Sequence, residues 1–298
     1  MDSVEIREIL KSEIEQLNSL VSRAFSYPPG GSFLDDFPVW KTDRVIRLGL
    51  FVGGELASHV GIRFANMRTS GAPEPDGASV RLTPVALIGG VATSEAHRGK
   101  GYSTALLTAA LKRIDASPAQ WTLLWGSEHE FYQKFGFAPQ GRQARALLAD
   151  LSINTKDVPS GTPRSGFTGP MAQAIFEDLC SRKAGIEFST ADRPWVFAQK
   201  TVEWHSLDGP FAYVAYQRGL DMKNIVHETG GALPGVMKLL LQVYRKNPDA
   251  EILGRPADLL ALGLDPAFWL EEPLCLARPK VQGTPWNPEF WVSGLSSC

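Results

Sequence analysis

The stretch that decides the fold is residues 91–114, VATSEAHRGKGYSTALLTAALKRI. It begins as an apolar strand, turns at Gly99 and Gly101, and continues as a helix with apolar residues at helical spacing. Glycines let the backbone turn sharply and leave the amides uncovered, and the first turn of the helix adds unpaired N–H groups and a positive dipole end. Because Arg98 and Lys100 flank these glycines, the sequence predicts a cradle for a diphosphate.

Two better-known phosphate motifs do not fit this segment. The P-loop requires Ser or Thr after its lysine, and here Gly101 follows Lys100. The dinucleotide fingerprint requires a third glycine, where this chain has Thr104. A basic glycine turn alone is more often a plain connection between strand and helix, so a functional interpretation needs a second motif.

The segment resembles the acetyl-CoA signature of the GNAT acetyltransferases, R/Q-x-x-G-x-G/A after a strand. Residues 98–103, RGKGYS, match it except that the last position is serine. Residues 127–137, SEHEFYQKFGF, resemble the FYxKxGF element near the end of the same fold. This form is also similar to the enhanced-intracellular-survival branch, which has tandem acetyltransferase-like halves and an additional C-terminal domain that would need a longer chain.

The resemblance implies acetyl-CoA as the cofactor and transfer of its acetyl group to a primary amine, by direct attack in a ternary complex. In this fold the central sheet opens between two neighbouring strands, and the pantetheine arm lies in the opening. Carried over to this chain, Val91, Ala92 and Thr93 would offer backbone groups to the pantetheine. The pyrophosphate would be held by the residues of the turn: Arg98, Gly99, Lys100, Gly101, Tyr102 and Ser103.

The same resemblance suggests catalytic residues. Tyr132 matches the tyrosine that the family places near the cofactor sulfur, and a phenol with a pKa near ~10 suits reprotonation of a thiolate. The alternative is that Tyr132 only packs at the sheet edge. For the base, Glu128 through a water molecule, or His129 directly, could accept the ammonium proton, and with Glu130 they could equally be solvated loop residues. In the tandem branch the terminal carboxylate is the base, here that of Cys298.

The chain has 298 residues, enough for about two domains. We predict a GNAT domain over 1–150, a linker over 151–169 rich in Pro, Gly, Ser and Thr, and a degenerate GNAT-like domain over 170–298 that lacks the basic glycine turn. The fold class is then α/β (α+β), with a mixed, splayed central sheet and helices on both faces, followed by a second GNAT-like half. That half would form a wall of the acceptor pocket, with aromatic surface from Trp195, Trp204, Trp286 and Trp291.

Periodicity predicts further elements in both halves. In the first half we expect an amphipathic helix over Ile6–Phe25, a hairpin over 44–63 around Gly53-Gly54, and a central strand over 80–92. In the second half we expect a broken helical region over 171–205 and a last strand at 273–279, PLCLARP.

The amino-acid composition limits the classes of molecule that we expect this protein to bind. The chain has 30 Lys and Arg and 32 Asp and Glu, which gives a net charge of −2. It therefore lacks the overall excess of positive charge that is typical of proteins that bind nucleic acid or an anionic membrane. Three cysteines without a CxxC pair predict no metal site, and no stretch resembles a signal peptide or a membrane span, so we expect a cytoplasmic protein. We expect a small-molecule amine substrate, to which Asp35-Asp36 could attract a cation. The alternative is a non-catalytic acyl-CoA-binding regulatory module. The oligomeric state cannot be inferred from the pattern.

Overall fold

We describe a computed structural model, which covers residues 3–70, 80–151, 164–165 and 169–296. The strands are β1 (Val4–Glu8), β2 (Val45–Val52), β3 (Glu55–Ser70), β4 (Val80–Thr93), β5 (Trp121–Leu124), β6 (Ala138–Gln140), β7 (Gln143–Leu147), β8 (Arg164–Ser165), β9 (Gly185–Ile186), β10 (Glu203–Leu207), β11 (Ala212–Tyr216), β12 (Ile225–Gly231), β13 (Glu251–Gly254), β14 (Trp269–Glu272) and β15 (Cys275–Pro279). The helices are α1 (Ile14–Ala24), α2 (Phe33–Asp36), α3 (Tyr102–Asp115), α4 (His129–Gln133), α5 (Gly169–Ser181), α6 (Arg193–Phe197), α7 (Leu233–Lys246) and α8 (Pro256–Ala261).

The first sheet has the order β1-β2-β3-β4-β5-β15-β6, with β9 paired to β3. Its β4–β5 pair is parallel and the other pairs are antiparallel, so the sheet is mixed. Alternate residues of each strand face opposite sides. Leu48 and Leu50 pack in the core under α3, whereas Val45 and Phe51 pack in the core under α1. The sheet therefore carries helices on both faces, as predicted.

The helix predicted over Ile6–Phe25 is wrong in its first part. Val4–Glu8 is a strand that pairs antiparallel with β2, with Ile6 opposite Leu50, and the helix begins only at Ile14. The backbone of β2 needs a partner on this side, and that tertiary pairing outweighs local helical spacing. The carboxylate of Glu13 ends the extended segment by accepting hydrogen bonds from the Leu10 amide (2.9 Å) and the Arg7 guanidinium (2.7 Å).

The second sheet has the order β14-β7-β13-β12-β11-β10-β8. Its β12–β13 pair is parallel, and α7 connects these strands and packs against β11 and β12. The helical region predicted over 171–205 is wrong at its end. His205 lies in β10, which pairs antiparallel with β11 and buries Trp204, after α6 has ended at Phe197.

Two strands cross between the sheets. Strand β7 follows the first half in sequence but pairs with β13 and β14 of the second sheet. Strand β15 follows the second half, yet it lies between β5 and β6 of the first sheet. Both sheets thus repeat one mixed arrangement with a parallel central pair, which confirms the predicted fold class. Among the described residues, every helix is too short or too polar to cross a membrane.

Candidate active site

The first sheet opens between β4 and β5. These strands pair only from Val85–Trp121 to Ile88–Leu124, and β4 then continues to Thr93 while β5 ends. A bulge in β4 helps to separate them, because the β3 partners shift from His59–Ala92 to Gly61–Gly89. Gly90 in the bulge has a φ of +60°, which glycine adopts without strain. His59 Nδ1 donates to the Gly90 carbonyl at 2.7 Å and so holds the bulge in place.

The edge of β4 beyond the bulge has backbone groups that face the opening. The Ser94 amide donates to the Ala57 carbonyl of β3 (2.9 Å), so by strand alternation the N–H and C=O of Ala92 also point to β3. The groups of Thr93 then point the other way, into the opening, and so does the C=O of Val91, which shares a trans peptide with the Ala92 N–H. Of the three residues predicted to contact pantetheine, two therefore direct backbone groups to the opening, and the Ala92 carbonyl accepts from the Ser58 hydroxyl (2.9 Å) instead.

The basic glycine turn lies between β4 and α3. Gly99 and Gly101 have φ values of +74° and +76°, and a Cβ placed on either would meet nothing within 4 Å, so the concave side of the turn is open. Helix α3 begins at Tyr102 and runs for 14 residues. Arg98 and Lys100 are exposed, and neither forms an ion pair with another residue of the described ranges. Of the six residues predicted for the pyrophosphate, the first four are exposed, whereas Tyr102 and Ser103 are half-buried in the first turn of α3.

Tyr132 lies on α4, directly after β5. It is 7% exposed, and its ring packs against Gly126, where a Cβ would lie 2.9 Å from Tyr132 Cε2. Burial, and secondarily the nearby Glu128 carboxylate, raises the pKa of Tyr132 to about 12. The phenol is therefore protonated at neutral pH, as a proton donor must be, and it is a weaker acid than a solvent-exposed tyrosine.

The three acidic and imidazole candidates around α4 do not share one position. All three side chains are exposed, and of the three only Glu128 lines the same cavity as Tyr132. Cys298, the fourth candidate base, lies outside the described residues.

A cavity of about 410 Å³ extends from the opening towards the loop between α1 and α2. Aromatic side chains from this loop and from both ends of α2 form one wall: Phe25, Tyr27, Phe33 and Phe37. Leu220 and Asp221, in the turn between β11 and β12, form part of another wall, so the second half contributes to the cavity of the first. Sequence reasoning missed these residues, although the aromatic density of residues 25–37, FSYPPGGSFLDDF, was a usable signal.

The tryptophans predicted for this wall lie elsewhere. Trp195 and Trp204 are 4% and 5% exposed and belong to a buried core shared by α1, α5 and β11. Trp286 packs edge-on against the ring of Trp121 in the first sheet, with centroids 5.1 Å apart. Trp291 lines a cavity of the second sheet. Core packing is the common fate of large aromatic residues, and it applies to the first two here.

The charges near the aromatic wall are largely compensated. Asp36 is 3% exposed and accepts from the Thr201 hydroxyl at 2.7 Å. Tyr27 is hydrogen-bonded to Asp36, and its pKa is raised above the ordinary value, first by burial and then by this carboxylate. Asp221 accepts from the Arg218 guanidinium at 2.7 Å. Asp35, predicted with Asp36 to attract a cation, already pairs with Lys41 and Lys200.

The second sheet has an opening of its own, between β12 and β13, with a cavity of about 490 Å³. Arg182 crosses it and donates to the Glu228 carboxylate, to the Tyr213 hydroxyl (2.6 Å) and to the Thr229 carbonyl (2.6 Å). The chain before α7 has no basic glycine turn. A Cβ on Gly230 would clash with the Tyr213 ring at 2.4 Å, so this glycine is required for packing.

Comparisons with known proteins agree with this geometry. Residues 5–140 match the family model of the acetyltransferase (GNAT) domain. A GCN5-related N-acetyltransferase from Kribbella flavida superposes with a TM-score of 0.63 at 17% identity, covering 93% of this chain and 71% of its own. Eis1 from Mycobacterium abscessus gives a TM-score of 0.59 at 19% identity, covering 93% and 74%. A putative acetyltransferase from Pyrococcus horikoshii gives 0.56 at 16% identity, covering 99% and 96%. No curated protein matches the chain.

The chain combines an opened mixed sheet with a glycine turn at the start of a helix, and its family match is to an acetyltransferase domain. Residues 5–140 are a GNAT acetyltransferase domain, which confirms the predicted resemblance. At identities below 20% the solved structures show the fold alone, and the arrangement they share with this chain spans both sheets.

Proposed function

We propose that this protein is an acetyl-CoA-dependent N-acetyltransferase that acetylates a primary amine of a small-molecule acceptor by direct attack in a ternary complex. The observation that supports this most is the continuity of the site. The cavity holding Tyr132 and Glu128 reaches Val91 on the open edge of β4, and the glycine turn follows in the chain shortly after β4 ends at Thr93.

The residues present fit coenzyme A. Arg98 and Lys100 are cations without an ion-pair partner among the described residues, and the turn from Gly99 to Ser103 leaves room for a diphosphate at the start of α3. Val91 and Thr93 offer the strand-like hydrogen bonds that a pantetheine amide can use. Acetyl-CoA, when bound, supplies an acetyl group activated as a thioester.

Side chains and backbone groups of the protein then accept and donate the protons and stabilise the charge that develops during the transfer. Glu128 is the side chain we assign to accept the ammonium proton, through water, because it lines the cavity, while His129 is the less favoured candidate. Tyr132 holds a proton at Oη and donates it to the leaving thiolate. Val91 lines the cavity, and its backbone N–H is the donor that we assign to stabilise negative charge on the acetyl oxygen. We place this reaction in the cytoplasm, consistent with Cys180 and Cys275 being free thiols.

Calorimetry with acetyl-CoA tests cofactor binding. The double variant Arg98→Ala/Gly101→Val should bind at least about tenfold more weakly than wild type, because it removes a charge-assisted contact and strains the turn. Arg245→Ala/Gly263→Val is the matched control, since it also removes an exposed arginine and a glycine of positive φ (+83°) with open space around it. Absence of binding by wild type, or equal binding by the turn variant, would refute the proposal.

A thiol-release assay over a panel of amines tests the proton donor. We expect Tyr132→Phe to lower kcat about 100-fold, within the range of general acid catalysis, with little change in the KM for acetyl-CoA. Tyr244→Phe, a partly buried tyrosine of the second core, should leave both constants unchanged. Tight binding of acetyl-CoA without turnover of any amine would instead support the regulatory module.

A further inference from the structure

We propose that the acceptor is a small monoamine whose body is apolar, an arylalkylamine or a comparable alkylamine, rather than a polyamine. This inference rests on the proposed function, because it concerns the amine side of the same site. Three features of the 410 Å³ cavity support it: the charges of its lining, its apolar walls and its size.

The charged residues that line the cavity favour a ligand with a single positive charge. Within the described part of the chain, the charged side chains that line the cavity are Glu128 and Asp221, both acidic. Asp221 is already paired with Arg218 (2.7 Å), which is 1% exposed and held over the Phe37 ring at 4.6 Å. Glu128 forms no ion pair with another described residue. A ligand with one ammonium group can therefore pair with the Glu128 carboxylate. Any further ammonium group of the ligand would lose its hydration in the cavity without gaining an ion-pair partner.

The aromatic and aliphatic walls of the cavity favour a ligand whose remaining part is apolar. Phe33 stacks between Phe25 and Phe37, with ring centroids 5.9 and 4.8 Å away. At the mouth, Phe25 and Leu220 remain 46% and 49% exposed, which is unusual for large apolar side chains placed around one cavity. A ligand ring or alkyl chain that covers these surfaces is stabilised by the hydrophobic effect, whereas hydroxyl groups there would meet few hydrogen-bonding partners.

The size calls for a small molecule. Sites for small molecules span roughly 300 to 1,000 Å³, and this cavity lies in the lower part of that range. Part of its volume, beside Val91 and Tyr132, is the end where the acetyl group must lie. The remainder, between the aromatic loop and the turn at Leu220, suits one ring or a short alkyl chain.

Initial rates with 2-phenylethylamine, ethanolamine and spermidine test the proposal. We expect kcat/KM for 2-phenylethylamine to exceed that for each of the other two at least about tenfold, through burial of the phenyl ring. A second readout does not depend on turnover. Because Trp125 lines the cavity, 2-phenylethylamine added to enzyme saturated with coenzyme A should change the tryptophan fluorescence saturably, and spermidine at the same concentration should not.

Variants at the mouth locate the apolar contact. Phe25→Ser and Leu220→Ser should each raise the KM for 2-phenylethylamine about fivefold by removing apolar contact area, and leave the KM for acetyl-CoA unchanged. Phe268→Ser is the matched control, since Phe268 is 59% exposed and lies outside the lining.

The outcomes separate this inference from the proposed function. Preference for spermidine or ethanolamine, or mouth variants that behave like Phe268→Ser, would overturn the monoamine assignment while leaving the acetyltransferase intact. Acetyl-CoA binding without thiol release on any amine would overturn both. Preference for 2-phenylethylamine together with raised KM values in both mouth variants would support it.

Discussion

At the scale of single residues, His59 connects the core to the site. Its imidazole is completely buried, packs edge-on against Trp40 with centroids 5.9 Å apart, and donates from Nδ1 to the bulge at Gly90. Burial lowers the pKa of His59 to about 4, although the hydrogen bond to Gly90 opposes that shift. His227, behind the second sheet's cavity, has its pKa lowered to about 4 by the same cause. Both rings are therefore neutral at neutral pH.

These histidines make stability depend on pH. In the unfolded chain their pKa returns to about 6.5, so between pH ~6.5 and ~4 the unfolded state binds more protons. Their contribution is complete above pH ~6.5 and falls as the pH drops towards 4, by up to about 3 kcal/mol for each histidine. Urea unfolding at a series of pH values measures this.

The variant His59→Gln should flatten the decline, and His129→Gln, which changes an exposed imidazole, should not. A free energy of unfolding that stays constant across this pH window would contradict the prediction. Glu13 loses its stabilisation between its unfolded pKa of 4.5 and its folded pKa of about 2, so its effect meets the histidine window only near its lower end.

At the scale of elements, the site depends on one irregularity in one strand. Strand β4 pairs with β3 on one side along its whole length, but the bulge at Gly90 gives it one residue more than β3. This extra residue bends β4 away from β5 and turns its backbone groups towards the opening. The opening of the site is thus formed where β4 becomes irregular, close to the point at which its parallel neighbour β5 ends.

Replacing the glycine of the bulge tests this role. In Gly90→Ala the new Cβ would lie 3.1 Å from His59 Cε1, at a φ of +60°, whereas Gly54→Ala places a Cβ at a φ of +90° with nothing within 4 Å. Both variants should lose about 1 kcal/mol or more from the positive φ. Only Gly90→Ala should lose more than that and raise the KM for acetyl-CoA, as measured by urea unfolding and by steady-state kinetics. Equal effects of the two changes would show that the bulge does not shape the site.

At the scale of the whole molecule, the two sheets are joined by exchanged strands. Strand β15 pairs with β5, with Leu276 opposite Leu124, and β7 pairs with β13 in return. One apolar core contains residues from both ends of the chain, including Leu87 and Leu123 from the first sheet and Phe290 and Val292 from beyond β15. The boundary predicted over 151–169 falls largely outside the described residues and stays a prediction. Wherever the boundary lies, each sheet includes a strand from the other half of the chain.

We therefore expect residues 1–168 to fail as an independent domain. Without β15, the backbone of β5 keeps only β4 as a partner and the core around Leu123 loses its cover, so the fragment should show no cooperative thermal transition and no acetyl-CoA binding. Co-expression with residues 169–298 should restore both by supplying the strand. A fragment that melts cooperatively and binds acetyl-CoA alone would count against this interpretation.

The sequence by itself determined the parts of the protein whose signals are local. Gly99 and Gly101 between an apolar strand and a helix indicate the turn, the pair Gly53-Gly54 indicates the hairpin of β2 and β3, and the segment around Tyr132 indicates a short helix after β5. Each follows from backbone freedom or periodicity within a few residues.

The tertiary structure alone decided what closes the acceptor cavity and how the halves join. Leu220 and Asp221 reach the cavity from a turn far along the chain, and PLCLARP reads as a strand of the second half although β15 completes the first sheet. The physical reason is that an apolar pattern shows that a segment is buried but not which surface buries it. Pairing between distant strands depends on backbone hydrogen bonds that every sequence can make.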